Sequence, residues 1–250
     1  GLSFFFSFSQ TCFPILLGAM DAIDFHSPTL QWEPNAPDTW KLLPDGGLWV
    51  KPMAQRDFWS RTFYQPLLVK HDGQVLVCPV EANEATLSLA FTLIPKAQFD
   101  QAGAMVLVDE KTWVKAGIEY CDGVPRLSCV VTNEGFSDWS TQSWKEWDGN
   151  CTSLRLRLHK ESPGTEQGPA LVVEAAPFHP GDDADSPGDF AFIRIASLRS
   201  AKPWKMGVFC FAPMEQQGCE ATFHYMKLGP KVASSHDADA SHMTDPKSAD

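Results

Sequence analysis

The sequence predicts an all-β protein made of two packed antiparallel sheets. Three observations carry this. About twelve short segments alternate between apolar and polar residues, or run apolar, as strands do. Clusters of Gly, Pro, Asn and Asp separate them at regular intervals. No stretch shows the 3.6-residue period of an amphipathic helix. A chain of 250 residues suits one large sandwich or barrel domain. Such a domain buries about 70–75% of its unfolded surface and needs no covalent staples.

The strands follow in order. Trp32, Trp40, Trp49, Trp59 and Phe63 lie among prolines and glycines, with short strands expected over 48–51 and 58–64. Residues 75–79 and 87–94 continue the pattern. The second of these alternates Leu87, Leu89, Phe91 and Leu93, and Pro95 ends it. Three strands are expected between Gln101 and Thr132. Residues 133–140, rich in Gly, Ser, Asn and Asp, read as a loop. Residues 152–159 place Leu154, Leu156 and Leu158 on one side and Arg155, Arg157 and His159 on the other. Further strands are expected at 171–175, 190–198, 206–212 and 221–228, and an acidic surface loop at 179–189. Residues 1–19 are apolar but lack a basic start and a small-residue cleavage site. They are expected to be a disordered leader or a gene-model artefact ahead of Met20, the alternative being a secretory signal. The sandwich is expected over 20–228, and the polar stretch 229–250 is expected to be disordered.

The central strands carry the functional expectation. Asp122-Gly123 is a strong two-residue hairpin signal, because such turns need positive φ at their central positions. It pairs Cys121 with Val124, Glu119 with Arg126, Gly117 with Ser128, Lys115 with Val130 and Trp113 with Thr132. Glu110-Lys111, read as a second two-residue turn, would set Val108 opposite Trp113, Val106 opposite Lys115, Ala104 opposite Gly117 and Ala102 opposite Glu119. Side chains alternate across a strand. One face is therefore expected to hold Met105, Leu107, Val114, Ala116, Ile118, Tyr120, Leu127, Cys129 and Val131 as core. The other is expected to hold Trp113, Lys115, Gly117, Glu119, Arg126, Ser128 and Thr132 over Ala102 and Ala104. Lys115 and Glu119 would stand about 13 Å apart along the strand, with Gly117 as a bare floor between them. The 133–140 loop would overhang this face and place Asp138 and Trp139 at its rim. The plainer alternatives are a Trp packed under a loop, a Glu119–Arg126 cross-strand ion pair and an Asx-type turn at Asp138.

Composition limits the function classes. A net charge of −11 and the lack of a basic stripe disfavour nucleic acid as a partner, and the interrupted apolar start is no spanning helix. Seven cysteines are present, none spaced as C-x-x-C. They read as reduced thiols in a cytoplasmic setting. No His/Cys spacing suggests zinc, the acidic loop does not follow the EF-hand order, and no Ser-centred elbow motif is present. No metal or cofactor is expected.

Asp100-Gln101-Ala102-Gly103, Trp113-Val114-Lys115-Ala116-Gly117-Ile118-Glu119 and Ser137-Asp138-Trp139-Ser140 occur in this order, followed by Gly207-Val208-Phe209-Cys210-Phe211-Ala212-Pro213 and Ala221-Thr222-Phe223. Together they resemble the regulation-of-enolase family, whose members are sandwiches of the concanavalin A-like lectin and glucanase type and of unknown function. The resemblance covers roughly residues 25–228 and implies a jelly-roll fold. The expectation is a non-catalytic cytoplasmic binding or regulatory protein. Its concave face would hold a carbohydrate or sugar-derived metabolite through Gln101, Trp113, Lys115, Gly117, Glu119, Arg126, Asp138 and Trp139, and the family name implies a link to regulation of enolase. The first alternative is a glycoside hydrolase using Glu119 with Asp100 or Asp138, which would need two carboxyls about 5–9.5 Å apart. The second is a protein-interaction module with a protein partner and no small ligand.

Overall fold

Asp122 and Gly123 form the expected turn, with φ of 54° and 82°. The strands they join pair in the expected register, Glu119 with Arg126 and Trp113 with Thr132 among them. The computed structural model describes residues 22–144, 152–162, 168–200, 202–214 and 218–235. Those residues contain sixteen strands: β1 (Gln31–Glu33), β2 (Thr39–Leu42), β3 (Leu48–Lys51), β4 (Phe58–Trp59), β5 (Lys70–His71), β6 (Val75–Val80), β7 (Ala85–Ile94), β8 (Gln101–Asp109), β9 (Thr112–Cys121), β10 (Val124–Asn133), β11 (Phe136–Gln142), β12 (Ser153–Glu161), β13 (Ala170–Ala176), β14 (Ala191–Ser197), β15 (Trp204–Phe211) and β16 (Glu220–Gly229). No helix of the described residues is long and apolar enough to cross a membrane.

The first sheet runs β1-β6-β15-β8-β9-β10-β11 and the second β14-β13-β12-β7-β16-β3-β2; β4 and β5 form a separate small ribbon. The expected sandwich of two antiparallel sheets is the fold. Its core interleaves Leu87, Leu89, Phe91 and Leu93 of β7 and Leu154, Leu156 and Leu158 of β12 with Val114, Ala116 and Ile118 of β9 and Val208 of β15. Each set is one parity of its strand, so alternation alone selects the buried face.

Two expectations are corrected. The first is the β8–β9 register. Asp109 pairs with Thr112 around the expected Glu110-Lys111 turn, but a bulge between Leu107 and Asp109 shifts the rest of the strand. Gln101 therefore faces Glu119, Gly103 faces Gly117, Met105 faces Lys115 and Leu107 faces Trp113. A one-residue slip inverts every side chain of the strand, so Ala102 and Ala104 belong to the inter-sheet core. Met105 and Leu107 join Trp113 on the outer face. The second correction concerns residues 133–140, which are not a loop. Glu134-Gly135 turns the chain, and β11 pairs with β10 along its length. Residues 230–235 are placed by specific bonds, while 1–21 and 236–250, where the leader and most of the polar stretch were assigned, lie outside the described residues.

Those bonds form on the outer face of the second sheet. His159 joins Thr86 through Nδ1 at 2.9 Å and Glu174 through Nε2 at 3.0 Å. Val232 donates its N–H to Thr86 Oγ1, and Ser235 donates its N–H and hydroxyl to Glu174 Oε1. Burial would raise the Glu174 carboxyl, but the hydrogen bonds from His159 and Ser235 outweigh it and hold the group below the usual glutamate range. A depressed native pKa adds stability that is present above the unfolded value, about 4.3, and lost as pH falls through the native one. The Ser235 amide is therefore expected to lose its hydrogen-exchange protection on acidification below about pH 4, and Glu174→Gln is expected to abolish that pH dependence. Mass-resolved exchange of residues 230–235 across the acid range checks this.

Candidate functional site

The outer face of the first sheet is not open. Phe58 and Trp59 of β4 lie across it and pack with Val75, Val77, Met105, Leu107, Trp113, Val130, Phe209 and Phe211 into a second apolar cluster. Phe58 stacks on Phe211 at 5.8 Å between centroids and meets Trp113 edge-on at 5.7 Å. The segment bearing β4 is tied down by Ser60, which donates its hydroxyl to Gly135 O and takes its own N–H to Ser137 Oγ. It is tied also by Asp72, which accepts from Arg56 and from the Asp57 N–H.

Beneath this cover lies a charged centre. Lys115, 2% exposed, donates to Asp57 Oδ1 at 2.9 Å. Its ammonium stands 5.7 Å from the Trp59 and Phe211 ring centroids and 5.9 Å from that of Trp113. Asp57 Oδ1 also accepts the Phe58 N–H at 2.8 Å and the Gln101 amide at 3.4 Å. Glu119 Oε2 accepts from the Ser128 hydroxyl at 2.7 Å and the Trp139 indole at 3.0 Å. Burial pushes both carboxyls above their usual ranges. The Lys115 charge pulls each back in part, and the charge of Asp57 adds to the rise at Glu119.

A pocket of about 380 Å3 opens above these two carboxyls. Trp59, Tyr64, Leu68, Phe99, Trp139 and Met214 supply most of its walls, and Lys70 is its only lining cation among the described residues. Of the sequence-derived residues, Glu119 and Trp139 line it. Gln101 lies one layer down and braces it by donating to Phe99 O and Asp57. Trp113 and Lys115 are buried under β4 as structural core, because the covering segment supplies both the rings and the counter-charge.

Gly117 is not a floor. A Cβ there would stand 2.0 Å from Ala102 O, so the glycine serves the close approach of β8 to β9. Arg126 lies opposite Glu119 in register but donates to Ser143, and Ser128 and Trp139 take the place of the expected ion pair at Glu119. Asp138 neighbours Trp139 on β11 and so points to the opposite face, where it pairs with Arg194 at 2.9 Å. Asp100 lies on the wrong parity as well and caps a turn by accepting from the Lys96 and Ala97 N–H groups. Asp57 is the residue that sequence reasoning missed. Its signal was weak: an acid beside Phe-Trp in a segment with no strand-length pattern.

A second cleft, about 560 Å3, lies on the other sheet beside Arg155. That guanidinium is committed to Tyr225, Asp182, Pro187 O and Ser186 O, and so organises the acidic loop.

Residues 32–231 match the model of a family described as proteins of unknown function, DUF1349. The chain belongs to this family. Within curated proteins it is 41% identical over 117 residues to the Saccharomyces cerevisiae protein named "Regulation of enolase protein 1", covering 46% of this chain and 55% of that one. It is 27% identical over 106 residues to an uncharacterized protein of Emericella nidulans, covering 41% and 46%. The chain thus spans about half the length of the curated relatives it matches. Among solved structures, a functionally unknown Saccharomyces cerevisiae protein superposes with a TM-score of 0.66 at 27% identity, over 82% of this chain and 98% of that one. A bifunctional GH43-CE protein of Bacteroides eggerthii gives 0.60 at 14% identity, over 83% of this chain but 24% of its own. The latter likeness is one of fold.

Proposed function

We propose that this DUF1349 member is a non-catalytic binding protein that holds a carbohydrate or sugar-derived small molecule in the pocket above Glu119. The observation that carries this reading is the pairing of aromatic walls with buried carboxylates. Rings offer faces to the C–H side of a sugar, and carboxylates accept its hydroxyl protons. Asp57 is held by an ammonium, a backbone N–H and an amide. Its Oδ1 is thus taken up by three protein donors that fix the carboxyl in place, so a binding role is preferred to glycosidic cleavage. Asp100 and Asp138, the acids first paired with Glu119, face away from it. By likeness to the yeast relative, the protein would act in the cytoplasm on the regulation of enolase, with ligand occupancy as its input.

Calorimetric titration with a panel of monosaccharides and short oligosaccharides tests the reading. Saturable binding is expected, reduced at least about tenfold by Glu119→Gln and also reduced by Trp139→Phe, with no reducing sugar released from the oligosaccharides. Unchanged affinity in both variants would overturn it, and a protein captured by both variants and wild type alike would favour the interaction-module reading.

A further inference from the structure

We infer that the pocket selects an uncharged hydroxyl-bearing ligand and rejects its phosphorylated or carboxylated counterparts, with Asp57 and Glu119 as the paired anchors. This deepens the reading above and rests on it.

The inference comes from counting which polar atoms remain free. Asp57 uses Oδ1 for all three of its side-chain hydrogen bonds, and Glu119 uses Oε2 for both of its own. Asp57 Oδ2 and Glu119 Oε1 accept nothing from any described residue. Neither is among the fully enclosed, partnerless side-chain atoms, and both residues line the pocket while at least nine-tenths buried. A pocket floor with two free acceptors asks its ligand for two donors.

The cations do not change this. Lys115 is spent on Asp57 and enclosed by three rings, so it offers nothing to an incoming anion. Arg126, the other cation of the expected site, is bonded to Ser143 and does not line the pocket. Lys70, at the wall, donates to Gln55 O at 2.6 Å. With Asp57, Glu119, Lys115 and Lys70 ionised, the charges sum to zero. A neutral ligand leaves that balance intact. A phosphate or carboxylate would be set against two carboxylates where water screens little. Two neighbouring hydroxyls of a sugar ring meet the requirement, and the ring's C–H face lies against Trp59 and Trp139, which themselves meet edge-on at 5.7 Å.

The test compares glucose, xylose and arabinose with glucose 6-phosphate, glucuronate and glucosamine by calorimetry, on wild type, Glu119→Gln and Asp57→Asn. At least one neutral sugar is expected to bind at least about tenfold more tightly than either anionic analogue. Glu119→Gln, which keeps the shape and should fold, is expected to weaken the neutral ligand and to narrow its advantage over the anionic analogues. Tighter binding of glucose 6-phosphate or glucuronate than of every neutral sugar, or an unchanged preference for the neutral sugar when the Glu119 charge is removed, would overturn the selection while leaving a sugar site in place. Tighter binding of glucosamine by about tenfold would overturn it in favour of a cationic ligand. Binding of no member of the panel would sink the sugar reading itself. Asp57→Asn is read only if its circular dichroism matches wild type; Glu119→Gln decides otherwise.

Discussion

Replacing Lys115 by Met is expected to cost about 3–5 kcal/mol of folding stability. The ammonium is 2% exposed and its partner Asp57 6%, so the substitution strands a carboxylate beneath β4 with only the Phe58 N–H and the distant Gln101 amide to compensate it. The Met chain fills the stem's volume, which separates the electrostatic loss from a packing loss. The double variant Lys115→Met/Asp57→Asn removes the stranded charge and is expected to recover a large part of the deficit. Urea unfolding of the wild type, both single variants and the double variant gives the coupling directly. A loss below about 1 kcal/mol in the single variant, the scale of an exposed pair, would mean that the pair is solvated and that β4 does not cover the sheet.

Truncating Trp113 to Ala is expected to cost about 3–5 kcal/mol as well, by opening a cavity under Phe58 and Leu107. Trp113→Phe is expected to be far milder. The Trp113 indole N–H is buried with no acceptor among the described residues, so the smaller ring removes an orphaned donor while keeping the edge contact with Phe58. Thermal unfolding separates the two variants. The same pair distinguishes core from site: Trp113→Phe should leave any sugar affinity unchanged, because Trp113 does not line the pocket. A fall in ligand affinity without a fall in melting temperature would return Trp113 to the role its sequence position first suggested.

The fold was largely legible before the structure. Twelve of the sixteen strands follow from alternation and turn residues. The four missed are instructive. β1, β2 and β5 are too short to show a period, and β11 carries Ser, Asp and Gln because it lies at a sheet edge, where polarity does not distinguish strand from loop. The β9–β10 register was legible because Asp122-Gly123 fixes it locally. The β8–β9 register was not, since a single bulged residue near Asp109 leaves no compositional trace and shifts every partner. Within the site, Glu119 and Trp139 were found by parity and chain order. Asp138 was misplaced for the same reason that Trp139 was found: once 136–142 is a strand, neighbours must point apart.

What the sequence by itself determined is which side chains share a face: Trp113, Lys115 and Glu119 stand together because a pleated strand allows nothing else. What only the tertiary structure decided is what lies above that face. A segment more than forty residues upstream folds across it, and Asp57 pairs with Lys115 across 58 positions of chain. Such pairing depends on how distant backbone closes over the sheet, and no local periodicity records it. That closure made a lysine and a tryptophan into core, and left an acid and an indole at the edge of a pocket.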